Sequence, residues 1–333
     1  MRGPLERVYR DLRVPGVKVG QVHDLEAMTG VSVVLFDQPA VAAAHVCGKA
    51  TSTRQADSLR VDHIVPTIDA MVFTGGSAFG LDATGGVLRF LEQQGRGLKT
   101  RHGLVPTCPT AAIFDLGFGS SSVRPDAQMG YDACEAAEGS RMAVGSVGAG
   151  CGATVGKLNG IAQAMKGGVG TRSTIEGDLV VQVITVCNAF GDVLDPQSGE
   201  ILAGARTTPE AKVFLDTQAA LSGKAVPVRF FPPDAGNTVL ILVVTTAKLD
   251  KPACAEVARR ASEGLAKVVR PAFAPVDGDI VVVASVGQVP AEMDALSSLA
   301  AENLASAVEC AVRCADGFGV LPSVSDLSEW GRK

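Results

Sequence analysis

Residues 234 to 246 read "DAGNTVLILVVTT". A turn-forming run, Asp234-Ala235-Gly236-Asn237, stops at Thr238, and Val239-Leu240-Ile241-Leu242-Val243-Val244 follow without a charge. An apolar run bounded by turn residues reads as a buried strand. Asn and Thr stand back to back at its mouth, and two readings are open. One is a plain turn before a strand. The other is that the Asn237–Thr238 peptide bond is made to be cut. A Thr hydroxyl is a weak nucleophile, and it gains strength when an amine takes its proton. A Thr at a chain terminus carries such an amine itself. To create that terminus internally, the hydroxyl attacks the carbonyl before it, and the resulting ester is hydrolysed. A strained turn and an oxyanion donor such as an Asn amide would assist.

Outward from this strand, short apolar strands alternate with helices rich in small residues. Residues 31–36 and 40–47 read as two strands joined by a turn at Asp37-Gln38-Pro39. A strand at 70–74 ends in Gly75-Gly76, and Ser77 reads as the N-cap of a helix carrying Leu81, Leu88 and Leu91. A helix is expected near 131–138 and a strand at 180–186 that leads to Asn188. Residues 204–236 look like a long connection. Helices near 252–269 and 291–315 then flank a strand at 280–285. No fixed-period repeat or low-complexity linker interrupts the chain. One α/β domain spanning 1–333 is expected, with helices on both outer faces of its sheets. The irregular spacing of strands and helices argues against a doubly wound sheet.

Composition narrows the functional classes. Of 333 residues, 47% are hydrophobic, 20% are charged and 38 are Gly, which describes a large core with many tight turns. The net charge of −5 suggests neither a nucleic acid nor an anionic membrane as partner. No apolar run reaches a membrane span, and the charged start "MRGPLERVYRDLRVPG" lacks the apolar core of a signal peptide, so a cytoplasmic location is expected. The eight cysteines include no Cys-x-x-Cys pair, and the four histidines no His-x-x-x-His. No metal site or cofactor is expected from these spacings.

Three further segments carry candidate chemistry. The Gly-rich "AVGSVGAGCGATVGK" (143–157) fails as a phosphate loop, because Cys151 stands at its first Gly position and Leu158 where Ser or Thr is needed. It fails as a dinucleotide fingerprint at Ala153. It does let the backbone approach something closely, and it delivers Lys157 among small and apolar neighbours, where partial burial would lower its pKa; an ordinary surface lysine is the other reading. "TGGSAFG" (74–80) resembles a nucleophile elbow, but Phe79 displaces the required Gly, and no histidine stands at a suitable position after Ser77. "PVDGDIVVV" (275–283) holds Asp277 and Asp279, whose spacing puts both carboxylates on one side of an extended chain. Asp-Gly is also a common turn signal, and this segment alone favours the turn.

Taken together, "VPGVKVGQV" (14–22), "VFTGGSAFGLDATGGV" (72–87), "VGAGCGATVGK" (147–157), "KGGVGTRS" (166–173), "VCNAFGDVLDP" (186–196), "AGNTVLILVVTTAKL" (235–249) and "RPAFAPVDGDIVV" (270–282) resemble one family, in order and across nearly the whole chain. It is the family of self-processing aminopeptidases that includes L-aminopeptidase/D-amidase-esterase, β-peptidyl aminopeptidase and nylon-oligomer hydrolase. The resemblance implies a four-layer α-β-β-α sandwich, layered like N-terminal-nucleophile hydrolases but connected differently. It implies cleavage between Asn237 and Thr238 into chains of 237 and 333 − 237 = 96 residues that stay in one fold. Thr238 would be the nucleophile and its freed amine a candidate base. Asn188 matches an oxyanion-stabilising Asn, and Lys157 a lysine beside the nucleophile. Asp277 and Asp279 match an acidic pair that positions an amine. Ser77 and Phe79 would shape the substrate pocket. A small peptide or amide substrate and a homo-oligomer, commonly a tetramer, are implied as partners.

Two departures stand out. Val239 follows Thr238 where many relatives have a second Thr, and Phe79 stands where some have a Tyr that assists the oxyanion. Phe79 has no donor, which leaves Asn188 as the main one. Two rivals to hydrolysis follow: acyl transfer of the ornithine-acetyltransferase type, and an unprocessed binding protein.

Overall fold

The computed structural model describes residues 7–222 and 236–328. Asp234 and Ala235 of the opening turn, and residues 223–233 of the connection before it, lie outside these.

The main strands, in chain order, are β1 (Val8–Asp11), β2 (Val17–Asp24), β3 (Thr29–Val46), β4 (Ser52–Arg54), β5 (Thr67–Thr74), β6 (Thr110–Ala112), β7 (Gly168–Glu176), β8 (Leu179–Asn188), β9 (Thr238–Ala247) and β10 (Ile280–Val289), with further short strands between them. The main helices are α1 (Ala83–Gln93), α2 (Ala127–Glu135), α3 (Lys251–Val268) and α4 (Met293–Arg313). One sheet runs in the order β7-β8-β9-β10-β3-β5-β6-β4, with β2 pairing to β3. Only β9/β10 and β5/β6 are parallel among these ladders. The expectation against a doubly wound sheet agrees with this.

The expected hairpin at residues 37–39 is absent. β3 is instead one strand of 18 residues, and its ladder with β5 shifts register between Leu35 and Ala40. The polar, exposed Asp37-Gln38-Pro39 marks an irregularity rather than a reversal. Bulges bend strands and raise their twist. One half of β3 pairs with β2, and the other with β10.

Side-chain alternation sorts the strands onto three main cores. Val239, Ile241 and Val243 face one core with Val257, Leu265, Leu304 and Val308 of α3 and α4. Leu240, Leu242 and Val244 face a second, shared with Ile280, Val282, Val34, Phe36, Met71 and Phe73 from both halves of the bent sheet. Val31, Val33, Ala70 and Val72 point oppositely, toward Val87 and Leu91 of α1 and Ala133 of α2. Each fully buried aliphatic side chain contributes about 1.5–3 kcal/mol. β9 is buried at every position, so the charge-free run is what its place demands.

Topology then gathers one end of the sheet. β8 ends at Asn188, which lies opposite Thr238 in an antiparallel ladder. β9 and β10 are parallel, with Leu240 opposite Ile280, so both begin at that end. No helix of the described residues is long and apolar enough to cross a membrane.

Candidate active site

Lys157, Asn188, Asn237, Thr238, Asp277 and Asp279 are all buried, none more than 4% exposed. Six polar side chains in such a place need partners, and most have them. The Thr238 hydroxyl donates to the carbonyl oxygen of Asn237, the residue before it. The same oxygen accepts the Gly278 N–H at 2.9 Å. A Cβ at Gly278 would lie 2.8 Å from Thr238 Oγ1 and 2.7 Å from the Ala50 carbonyl, so only glycine lets this backbone come so close.

Asn188 and Lys157 hold the preceding carbonyl. Lys157 Nζ donates to Gly236 O at 2.7 Å, and to Asn188 O and Oδ1 at 2.9 Å each. Asn188 Nδ2 donates to Gly236 O at 3.1 Å and to Phe114 O at 3.3 Å. Thr154 N–H donates to Asn188 Oδ1 at 3.0 Å, which fixes the amide's orientation. The Gly-rich segment delivers Lys157 as its composition suggests. Gly156 has φ of +69°, and a Cβ there would lie 2.1 Å from the backbone of Gly204 and Ala205. The next N–H, of Lys157, binds Phe190 O just beyond β8 at 2.9 Å.

The aspartates complete the group. Asn237 and Asp277 form a parallel bridge, so Asp277-Gly278 is not the turn that its sequence alone favours. The turn falls one step earlier, at residues 275–276, and the chain is extended through both carboxylates into β10. Asp279 Oδ1 accepts the Val239 N–H at 2.7 Å. Asp277 Oδ2 accepts the Ala274 N–H at 2.9 Å, while its Oδ1 and the Asn237 Oδ1 are buried without a partner.

Burial dominates the electrostatics. It pulls Lys157 down to about 7, against the pull of Asp277 and Asp279. It pushes Asp277 up to about 6, opposed by the Ala274 N–H and by Lys157. Asp279 is raised well above the carboxylate range, first by burial and then by Asp277. Three acceptors around Nζ offset part of the cost of a buried ammonium, since hydrogen bonds to charged groups are worth about 1.5–3 kcal/mol each.

Ser77 and Phe79 lie one strap away. Ser77 does not cap a helix. Gly76 is the N-cap of a single turn at Ser77–Gly80, with no side-chain cap bond, and Ser77 itself has φ of +53°. Its N–H binds Ile113 O at 2.9 Å, and the next residue, Phe114, packs against Gly236 and accepts from Asn188. Phe79 is 54% exposed beneath the Arg124 guanidinium, 3.7 Å from its ring centroid. The sequence reading missed the Gly278 N–H and Phe114. Gly278 left a trace as the bend between two aspartates. Phe114 left none, since its contribution is a backbone carbonyl. Among the described residues, no group of three or more His, Cys, Asp or Glu gathers as metal ligands do.

The fold that carries this site has counterparts in solved structures. The chain is similar to the L-aminopeptidase D-Ala-esterase/amidase of Ochrobactrum anthropi, described as a new variant among the Ntn-hydrolase fold (TM-score 0.68, 16% identity, 99% of this chain and 97% of that one). It is also similar to a β-aminopeptidase of Burkholderia (TM-score 0.66, 19% identity, 95% and 91%). The chain shares the overall fold of these two aminopeptidases. The family model of peptidase family S58 matches residues 12–319, and the chain belongs to that family. An uncharacterized aminopeptidase of Mycobacterium tuberculosis is 37% identical, over 94% of this chain and 96% of the relative. A 6-aminohexanoate-oligomer endohydrolase of Agromyces is 27% identical, over 80% and 71%. Family membership sets amide hydrolysis as the class of chemistry.

Proposed function

We propose that the chain cuts itself between Asn237 and Thr238, and then works as an N-terminal-threonine aminopeptidase or amidase on small peptides or amides. One observation carries this reading: the Thr238 hydroxyl rests on the carbonyl that it would attack. Attack by Oγ1 moves negative charge onto Asn237 O, where the Gly278 N–H already points. Collapse breaks the C–N bond, leaves an ester on Thr238 and frees its amine, which takes up the proton that the hydroxyl gave up. Asp277, ionised above about 6 and with Oδ1 unpartnered, is the acceptor suited to that amine. Water hydrolyses the ester and yields a new carboxylate at Asn237.

Departure of Gly236-Asn237 would release two donors at once. Lys157 Nζ and Asn188 Nδ2, now spent on Gly236 O, become free for the oxyanion of a substrate carbonyl. Thr238 then forms an acyl ester with substrate, and water resolves it. These steps use side chains and backbone alone, with no cofactor or metal. Both chains would stay in one fold, because β9 is hydrogen-bonded to β8 and β10 on either side. The three cores support an α-β-β-α layering. Eight free thiols support a cytoplasmic location. Tetrameric assembly rests on the family resemblance, and sedimentation would read it.

The test pairs Thr238→Ala with wild type on amino-acid p-nitroanilides. The alanine variant should neither cut itself nor release nitroaniline. Turnover by that variant at the wild-type rate would remove Thr238 from the chemistry.

A further inference from the structure

A second group of reactive side chains lies on the face formed by β1, β7 and the C-terminal end of α4. A cleft of about 460 Å³ opens there, lined by Arg10, Arg13, Arg172, Arg313, Cys310 and Cys314 among others. Four arginines meet two carboxylates, Asp11 and Glu309, in the wall of a chain whose net charge is −5. Arg13 is paired with Asp11, and Arg313 with Glu309 and Asp195. Among the described residues, Arg10 and Arg172 have no carboxylate partner. Arg10 also donates to the Tyr9 carbonyl at 3.1 Å, but two guanidiniums without a carboxylate partner over one concavity favour an anion.

The thiols distinguish this cleft from an ordinary basic patch. Cys310 and Cys314 are one helical turn apart and half-buried. An Arg10 guanidinium nitrogen lies 4.0 Å from Cys314 Sγ. Five other cysteines are buried, and Cys47 is pushed up to about 12 by burial and Asp279. Cys310 runs the other way. The neighbouring Cys314 thiol, and then Arg10, lower Cys310, while Cys314 is raised. The carbonyl end of α4 opposes a thiolate, and the arginines offset that field.

We propose that this cleft is a thiol-modification site that captures small disulfides bearing anionic groups and joins them to Cys310. The Cys310 thiolate attacks one sulfur of R–S–S–R, a Cys310–S–S–R bond forms, and R–S⁻ leaves. The disulfide is the only oxidant required, and a reducing thiol reverses the step. Arg10 and Arg172 would hold the anionic groups of R.

The experiment uses the full chain at low ionic strength, with 5,5′-dithiobis(2-nitrobenzoate) as the anionic disulfide and 2,2′-dithiodipyridine as the neutral one. Peptide mass mapping should place the fast-reacting thiol at Cys310. The anionic reagent's advantage should fall about threefold in Arg172→Gln and again in Arg10→Gln, and it should shrink with added salt. Fast labelling at another cysteine in wild type would overturn the proposal, and mapping needs no variant that could misfold. An anionic advantage that both substitutions and salt leave unchanged would overturn the role of the arginines. Cys310→Ser should leave self-cleavage at Thr238 unaltered, so the outcome is separate from the proposed hydrolase activity.

Discussion

Lys157 and Lys166 lie nine residues apart on the same Gly-rich stretch, and both are fully buried. Burial lowers both, Lys157 to about 7 and Lys166 to about 8. Their acceptors differ in kind. Lys166 donates to the carbonyls of Gly150, Ala153 and Gly167, all from its own neighbourhood in sequence, and its ammonium lies 5.2 Å from the Phe118 ring centroid. Lys157 joins Asn188 at the end of β8 to Gly236, beside the Asn237–Thr238 bond. Each also feels two carboxylates, Asp277 and Asp279 for Lys157 and Asp115 and Asp316 for Lys166. A perturbed buried lysine is therefore not by itself a mark of catalysis. The mark is what it converges with: a hydroxyl, an amide and a carbonyl that a reaction would remove.

The largest break in this symmetry should come from paired substitutions. Lys157→Met should slow self-cleavage by about 100-fold, because losing the hold on Gly236 O misplaces the adjoining Asn237 carbonyl. Lys166→Met should leave the cleavage rate of folded protein nearly unchanged. Equal losses in gel time courses would mean that the two lysines do the same job. Gly278→Ala sharpens the claim from the other side. Its Cβ would crowd Thr238 Oγ1 and the Ala50 carbonyl, and cleavage should slow by about tenfold or more, since small misplacements cost that much. Wild-type kinetics in that variant would remove close approach from the account.

The pH profile is a smaller effect with a definite sign. Asp277 is raised to about 6, so it is protonated below that pH and ionised above it. If its carboxylate receives the amine, the cleavage rate should rise with pH through about 6, and Asp277→Asn should flatten the rise. A rate that falls across that window in wild type would contradict this assignment. The smallest effect belongs to the structural lysine. Lys166→Met leaves carbonyls of Gly150, Ala153 and Gly167 short of a donor, and denaturant titration should show a loss of about 1–3 kcal/mol.

Much of this site was legible before any coordinates, for reasons that differ by residue. The charge-free run after Thr238 could only be a strand buried on both faces, and β9 serves two cores. The composition around Lys157 suggested partial burial but left an ordinary surface lysine equally open; the contacts with Asn188 and Gly236 decide between them. Asp277 and Asp279 were ambiguous locally, because Asp-Gly serves turns and extended bends alike; only the pairing of Asn237 with Asp277 decides between them. Ser77 looked like a cap because Ser usually is one, yet Gly76 takes that position and leaves Ser77 at positive φ. The bend of β3 escaped notice because Asp37-Gln38-Pro39 has the composition of a hairpin turn, and register with β5 is a long-range property. The hold of Lys157 and Asn188 on Gly236, rather than on Asn237, has no sequence signal at all.

The most direct measurement is an intact-mass spectrum of freshly purified, denatured protein, repeated over days of incubation. Two species that break between Asn237 and Thr238, growing at the expense of the full-length chain and absent in Thr238→Ala, are the predicted result. A single full-length species that persists unchanged, or a break at any other bond, would contradict the account.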